Sequence, residues 1–247
     1  MESASIIIYL LINIIISFGI PIGALVYFIR KKNRCVKPYF IGMLVFFISQ
    51  MILRIPLLNN VISKMDWYME MSTFYPVIVM IFLGLTAGVF EEVGRYLGFK
   101  IALKNNRRWI DGIAFGIGHG GIEAMLLLGM ASLQNLFIVI SKGNESVLNI
   151  LYSNGPYILL GGFERIFAIM IHIGLTMIVL YGINKNKIRY LFLAIILHGL
   201  VDFIVVLLSS LGINILLVEG WVGICALGGL IVTIKYKRVF EKNKGVY

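Results

Sequence analysis

Long apolar runs recur along this chain and limit what it can fold into more than any other feature does. Each run has about 18 or more mostly apolar residues, the length that a helix needs to cross a bilayer. Only 14% of the residues are charged, whereas an average soluble domain has about 25%. A soluble enzyme, a nucleic-acid-binding protein and a disordered chain are therefore excluded.

The apolar runs predict an all-α polytopic membrane helix bundle with about seven transmembrane helices. We expect one integral membrane domain over residues 1–247. The predicted spans are residues 5–29, 39–58, 76–99, 109–140, 156–183, 190–211 and 213–234.

Basic residues are distributed unevenly between the loops that join these spans. Most of the 22 lysines and arginines fall in alternate loops and in the C-terminal tail. They are Arg30, Lys31, Lys32, Arg34, Lys37, Lys100, Lys104, Arg107, Arg108, Lys185, Lys187, Arg189, Lys235, Lys237, Arg238, Lys242 and Lys244. The positive-inside rule then predicts an N-terminus outside and a cytoplasmic C-terminus. The net charge of +10 accordingly indicates topology and contact with lipid head groups, not nucleic-acid binding.

Ionisable residues inside the spans are the strongest indication of function. Each costs at least about 2.5 kcal/mol at the centre of a membrane helix, so such residues are rarely accidental. All three histidines lie within spans, and almost all of the intramembrane charge is in spans 3 to 6. The residues are Glu91, Glu92, Arg95, His119, Glu123, Glu164, Arg165, His172, His198 and Asp202. Arg54 and Glu219 are predicted to lie near the outer interface, and we assign neither a role.

These residues are predicted to form a single buried site. At about 1.5 Å per residue, Glu92 and the three histidines lie roughly 12–17 Å from the cytoplasmic ends of their helices. Residues four apart share a helix face, which places Glu91 with Arg95, His119 with Glu123, and His198 with Asp202. Two purely structural interpretations stay open: Glu91 or Glu92 could form a buried ion pair with Arg95, and His198 could form a hydrogen bond with Asp202 within one helix. Glycines at positions 112, 116 and 120 predict close approach of a neighbouring helix to the His119 face.

The residue types in this site suit hydrolysis by an activated water. A carboxylate of the Glu91–Glu92 pair beside Arg95 can act as a general base. Histidines on separate helices can ligate a metal, with Asp202 orienting His198, or they can donate hydrogen bonds to an oxyanion. The chain has neither an HExxH pair nor a Gly-x-Ser-x-Gly elbow.

Four short motifs carry a resemblance to a known family. They are Glu91-Glu92-x-x-Arg95, Phe115-x-x-x-His119 with Glu123, Glu164-Arg165 followed by His172, and His198-x-x-x-Asp202. Together, over about residues 85–205, they resemble the YhfC family of intramembrane proteases. That family is similar to the PrsW proteases and to the CAAX-processing and bacteriocin-processing proteases. The arginine spacing and Glu123 are closer to the PrsW type, whereas the Phe115 to His119 spacing fits the CAAX type.

The resemblance implies a role for each matching residue. Glu91 and Glu92 would activate water, with His119 and His198 as metal ligands or oxyanion donors. Glu123, His172 and Asp202 would support these groups or ligate the metal. The candidate metal ligands are therefore His119, His172 and His198. The implied cofactor is a divalent ion, with zinc as the first candidate. The implied partners are a membrane protein or peptide substrate and the lipid bilayer.

Two other functions also fit an intramembrane polar cluster. One is an ion or small-solute transporter or channel with a Glu/His/Arg relay. The other is a non-enzymatic immunity or assembly factor whose polar core is structural. The abundance of Ile, Lys and Asn suggests a bacterium with an AT-rich genome, and hence the bacterial plasma membrane, for all three.

Overall fold

The structure, a computed structural model, describes residues 3–30 and 35–242, and of residues 241 and 242 only the backbone. Within these residues the chain is helical and has no strand. Seven helices are long and apolar enough to cross a membrane, and we call them spans 1 to 7. Their bounds are Ser3–Arg30, Val36–Lys64, Pro76–Ala102, Trp109–Ser141, Glu145–Asn184, Arg189–Ser210 and Ile215–Phe240. The predicted all-α, seven-span, multi-pass membrane protein is thus confirmed.

Spans 1 to 4 each contain a wide π-helical stretch, so they are not single regular α-helices. These stretches are Ile15–Gly19, Phe47–Arg54, Gly98–Ala102 and Met125–Gly129. The α-helices are Ser3–Ile14, Ile20–Arg30, Val36–Phe46, Ile55–Asn60, Asp66–Phe74, Pro76–Leu97, Trp109–Ala124, Met130–Ser141, Glu145–Asn154, Ile158–Asn184, Arg189–Ser210 and Ile215–Lys242. Single π turns inside α-helices often occur at functional sites, and the one at Phe47–Arg54 contributes two side chains to the polar cluster described below.

Span 5 begins with a short separate helix. The segment Glu145–Asn154 ends at Gly155, whose φ of 50° lies in the region that favours glycine. The chain turns there and enters the long helix Ile158–Asn184. Our prediction began this span at residue 156, close to the long helix, but it did not anticipate the short helix.

The helices pack in a fixed order around spans 4 and 5. Span 3 lies along span 6, span 4 lies between spans 2 and 5, and span 5 also packs on span 7. The order brings spans 3 to 6 around one polar centre. Among the basic residues used to predict topology, Lys31, Lys32, Arg34 and Lys244 and the side chain of Lys242 lie outside the described residues. The orientation across the membrane stays a prediction.

Glycines on span 4 allow its two neighbours to approach at backbone distance. A Cβ on Gly116 would lie 2.7 Å from the Cα of Ile173 on span 5. On another face, a Cβ on Gly118 would lie 2.0 Å from the carbonyl oxygen of Tyr39 on span 2. Both distances are shorter than real Cβ atoms allow, so only glycine permits this packing. The close contact predicted from the glycine spacing therefore occurs, with span 5 as the neighbouring helix.

Span 4 begins at a capped terminus outside the polar centre. The Asp111 carboxylate accepts hydrogen bonds from the Arg108 backbone N–H at 2.9 Å and from its guanidinium at 2.8 Å. The Asp111 carboxylate raises the pKa of the Arg108 guanidinium. Burial, followed by the charge of Asp111, raises the pKa of the adjacent Cys35 thiol to about 11. The terminus that sets the depth of His119 is therefore well anchored.

Replacing a contact glycine should destabilise the bundle. We expect Gly118→Ala to lower the free energy of unfolding by about 1–3 kcal/mol or more, because the added methyl group overpacks against backbone that cannot move aside. Thermal unfolding in detergent measures this effect. Gly23→Ala is the matched control, since a Cβ there has no neighbour within 4 Å. Equal melting temperatures for both variants would contradict the packing described here.

Candidate active site

Glu91 lies at the centre of the polar cluster, surrounded by the three histidines. Its Oε2 atom is 2.8 Å from His119 Nε2, 3.9 Å from His198 Nε2 and 4.0 Å from His172 Nδ1. The side chain of Glu91 is 5% exposed and that of His119 is fully buried. One carboxylate oxygen therefore faces imidazole nitrogens from spans 4, 5 and 6.

The far ring nitrogens of two histidines are bonded to other carboxylates. His198 Nδ1 is 2.8 Å from Glu92 Oε1, and His172 Nε2 is 2.7 Å from Glu123 Oε2. An ionised carboxylate can only accept, so each of these nitrogens carries the hydrogen and donates it. On a neutral imidazole, the opposite nitrogen, which faces Glu91, is then left with the lone pair. Such carboxylate–histidine pairs are the usual support of metal-ligating histidines.

Arg95 is fully buried and connects span 3 to span 5. Its Nη2 atom lies 3.4 Å from Glu92 Oε1 and 3.2 Å from His172 Nδ1. Its Nη1 atom donates to the His172 carbonyl oxygen at 3.0 Å. The ion pair is therefore with Glu92, three residues earlier, which is one of the two partners that the sequence left open. An arginine in this position offsets the negative charge of the two adjacent glutamates.

The other predicted site residues are Glu123, Glu164, Arg165 and Asp202. They lie toward the end of the bundle that is farther from the basic loops. Arg165 donates to Glu123 at 2.7 Å and also pairs with Glu164. Asp202 is 3.7 Å from His198 Nε2, too far for the hydrogen bond within one helix that we had considered. Side-chain exposure rises from 0% at Glu92 to 14% at Glu123 and 41% at Asp202. The cluster thus becomes more accessible toward that end.

Span 2 contributes two residues that the sequence analysis missed, Gln50 and Phe46, and a third, Arg54, that it expected at the interface. Gln50 donates a hydrogen bond to Glu91 Oε1, and Phe46 packs edge-on against His119 with ring centroids 5.3 Å apart. Arg54 donates to Gln50 Oε1 at 3.1 Å and to the Leu83 carbonyl oxygen at 2.7 Å. Arg54 therefore has bonding partners inside the bundle, where we had expected an interfacial residue. The four-residue spacing of Gln50 and Arg54 on one apolar helix was the available signal.

Glu219 was also expected to be interfacial. It is half-buried, and its Oε2 atom is buried without a hydrogen-bond partner in the described part of the chain. We assign it no role.

The central donors have the chemistry of a divalent metal site. Ligand atoms of Glu91, His119 and His172 all lie within 4.8 Å of one another. His198 adds a fourth nitrogen near Glu91 Oε2. Among the described residues, the buried atoms Glu92 Oε2 and His119 Nδ1 have no hydrogen-bond partner. Imidazole and carboxylate donors of this kind, supported by second carboxylates, fit a divalent ion.

Comparisons with known proteins identify the family of this chain. Residues 16–222 match the family described as YhfC intramembrane metalloprotease. The uncharacterized membrane protein YhfC of Bacillus subtilis (strain 168) is 34% identical over 260 aligned positions, covering 98% of this chain and 100% of that protein. The protease PrsW of Clostridioides difficile (strain 630) is 28% identical, covering 81% of this chain and 82% of that protein. No solved structure matches the chain. The match over most of its length shows that this chain belongs to the YhfC intramembrane metalloprotease family.

Proposed function

We propose that this protein is an intramembrane endopeptidase that hydrolyses a peptide bond in a membrane protein or membrane-associated peptide. The observation that carries the proposal is the position of Glu91 Oε2 among three imidazoles, inside an apolar bundle. The family to which the chain belongs and its similarity to a protease support the same reaction class.

We propose zinc as the cofactor, because zinc prefers imidazole nitrogen and carboxylate oxygen ligands. His119, His172 and Glu91 would hold it, with His198 as the further candidate ligand. A bound zinc ion supplies Lewis acidity, which polarises a carbonyl group and lowers the pKa of a water ligand. His172 Nδ1 faces Arg95 Nη2 at 3.2 Å, so this nitrogen would exchange that contact for the ion.

Glu92 is suited to accept a proton from the attacking water. Its Oε1 atom is held by His198 and Arg95, which fixes the orientation of the carboxylate. Its Oε2 atom has no hydrogen-bond partner in the described residues and is available as a base. As the water oxygen bonds to the carbonyl carbon of the substrate, its proton passes to Glu92. The same proton then passes to the leaving amine nitrogen as the C–N bond breaks, so acid and base roles alternate on one residue.

The other residues position these groups. Glu123 holds His172 and is itself held by Arg165, while Gln50 holds the Oε1 atom of Glu91. Asp202 lies beside His198 Nε2 on the more exposed side of the cluster, where it can contact the entering water. A neutral His198 can ligate through that nitrogen, whereas a protonated His198 can donate from it to the developing oxyanion.

Removing a carboxylate or histidine at the centre of the cluster should strongly slow proteolysis. We expect Glu91→Gln, Glu92→Gln and His119→Ala each to lower the cleavage rate by about 10²-fold or more, as loss of a general base or a ligand does. Mass spectrometry of new peptide termini in membranes from cells expressing each variant measures cleavage. Glu70→Gln is the matched control, because Glu70 is exposed and remote from the cluster. Full cleavage by all three variants would eliminate the protease proposal.

Metal content tests the cofactor independently of activity. We expect purified protein to hold one zinc ion per chain, and His119→Ala and His172→Ala to lose it, as measured by mass spectrometry of the metal. His198→Ala shows whether the fourth nitrogen ligates. Glu123→Gln should weaken metal binding about 10- to 100-fold, the usual effect of removing the carboxylate behind a ligand. Stoichiometric zinc in both His119→Ala and His172→Ala would contradict the proposed ligand set.

The span 2 contact can be tested as a positioning interaction. Gln50→Leu removes the donor to Glu91 Oε1 and should lower kcat about tenfold, with little change in KM, because Glu91 loses its fixed orientation. The acidic limb of the pH–rate profile should shift as well. Gln134→Leu, on the exposed part of span 4, is the matched control. A Gln50→Leu enzyme with unchanged kcat and pH profile would remove Gln50 from the site.

A further inference from the structure

A cavity lined by basic side chains lies at the end of the bundle opposite the exposed side of the polar cluster. It has a volume of about 830 Å³, within the range of small-molecule sites. Its basic lining residues come from three separate segments: Lys104, Arg107, Arg108, Lys185 and Lys237. We call it the basic cavity. A smaller cavity of about 300 Å³ adjoins it and shares Arg107.

Hydrogen bonds between segments hold the walls of the basic cavity in place. Trp109 Nε1 on span 4 donates to the Thr233 carbonyl oxygen on span 7 at 2.9 Å. Asn184 Nδ2 at the end of span 5 donates to the Arg107 carbonyl oxygen at 3.1 Å. The Lys237 ammonium also lies 5.2 Å from the centroid of the Trp109 ring. The cavity is therefore formed before any ligand arrives.

Arg107 has charge and a donor group that the described residues do not use. Its Nε atom is buried without a hydrogen-bond partner among them, and its Nη2 atom reaches only the Phe99 carbonyl oxygen at 3.5 Å. The adjacent Arg108, by contrast, is neutralised by Asp111 at 2.8 Å. A buried N–H group without an acceptor is unfavourable, and a guanidinium matches a phosphate oxygen in charge and geometry.

Basic residues at a membrane surface often only set topology. A binding site differs from a charged surface in that its basic side chains surround one cavity. Lys37, Lys235 and Arg238 are exposed at the same end and are not among the residues that line the cavity. The five basic lining residues instead surround one cavity. Trp109, Tyr181 and Phe240 also line it. Aromatic and basic side chains together are typical of the level of lipid head groups.

We propose that the basic cavity binds the phosphate of an anionic phospholipid head group, with Arg107 as its main contact. The lysines around Arg107 supply further positive charge, and the aromatic residues face the glycerol and the first acyl carbons. This site is separate from the polar cluster, so the proposal holds whether or not the protein is a protease.

Lipid binding by the purified full-length chain tests the proposal. Native mass spectrometry in detergent gives the dissociation constants for phosphatidylglycerol and for phosphatidylcholine. We expect at least tenfold preference for phosphatidylglycerol. Arg107→Gln should raise the phosphatidylglycerol Kd about tenfold, and Lys185→Gln a few-fold, because each removes a charge-assisted contact. If Arg107→Gln does not fold, Arg107→Lys replaces it and should show a smaller rise.

The controls separate a site from diffuse attraction and a lipid from a soluble phosphate. Arg238→Gln and Lys235→Gln remove equal charge outside the cavity and should leave the Kd within twofold. Equal losses in these controls, or no preference for phosphatidylglycerol, would overturn the proposal. Inorganic phosphate and glycerol 3-phosphate at millimolar concentration should not displace the lipid. Complete displacement by either would assign the cavity to a soluble phosphate compound and overturn the lipid assignment.

Discussion

Polar groups inside a bilayer must find their partners within the protein, because lipid offers neither donors nor acceptors. In this chain the requirement falls on the glutamates of span 3. Glu91 bonds to His119 of span 4, and Glu92 bonds to His198 of span 6. Arg95 then contacts His172 of span 5. These bonds join four helices at one depth, so the arrangement of the bundle depends on them.

The same bonds also orient the imidazoles around Glu91. A histidine held by a carboxylate at one nitrogen presents its other nitrogen in a defined direction, as His172 and His198 do toward Glu91. Glu92 keeps one buried oxygen without a partner in the described chain, although its other oxygen is fully engaged. Three imidazoles from three helices converge on one oxygen of Glu91, and this convergence favours a catalytic interpretation over a structural one.

Sequence reasoning predicted which residues share the site better than it predicted their partners. The depth of the histidines and glutamates followed from counting residues along apolar runs, because helix rise is constant. Spacing of four residues placed His119 and Glu123 on one helix face, but it did not name their partners. The structure pairs His119 with Glu91 and Glu123 with His172, both between helices. Periodicity defines the face of a helix, but not the rotation of that face relative to its neighbours.

Gln50 is a second example of a contact that the sequence does not predict. A neutral amide in an apolar span gives no strong sequence signal, and only the packing of span 2 against span 3 places it on Glu91. The basic cavity is similar, because its lining comes from segments far apart in the chain.

The sequence by itself determined the membrane class, the number of spans and the ionisable residues within spans 3 to 6, since hydrophobicity and charge act locally along the chain. The tertiary structure alone decided which carboxylate meets which histidine, because that depends on how seven helices rotate and approach one another.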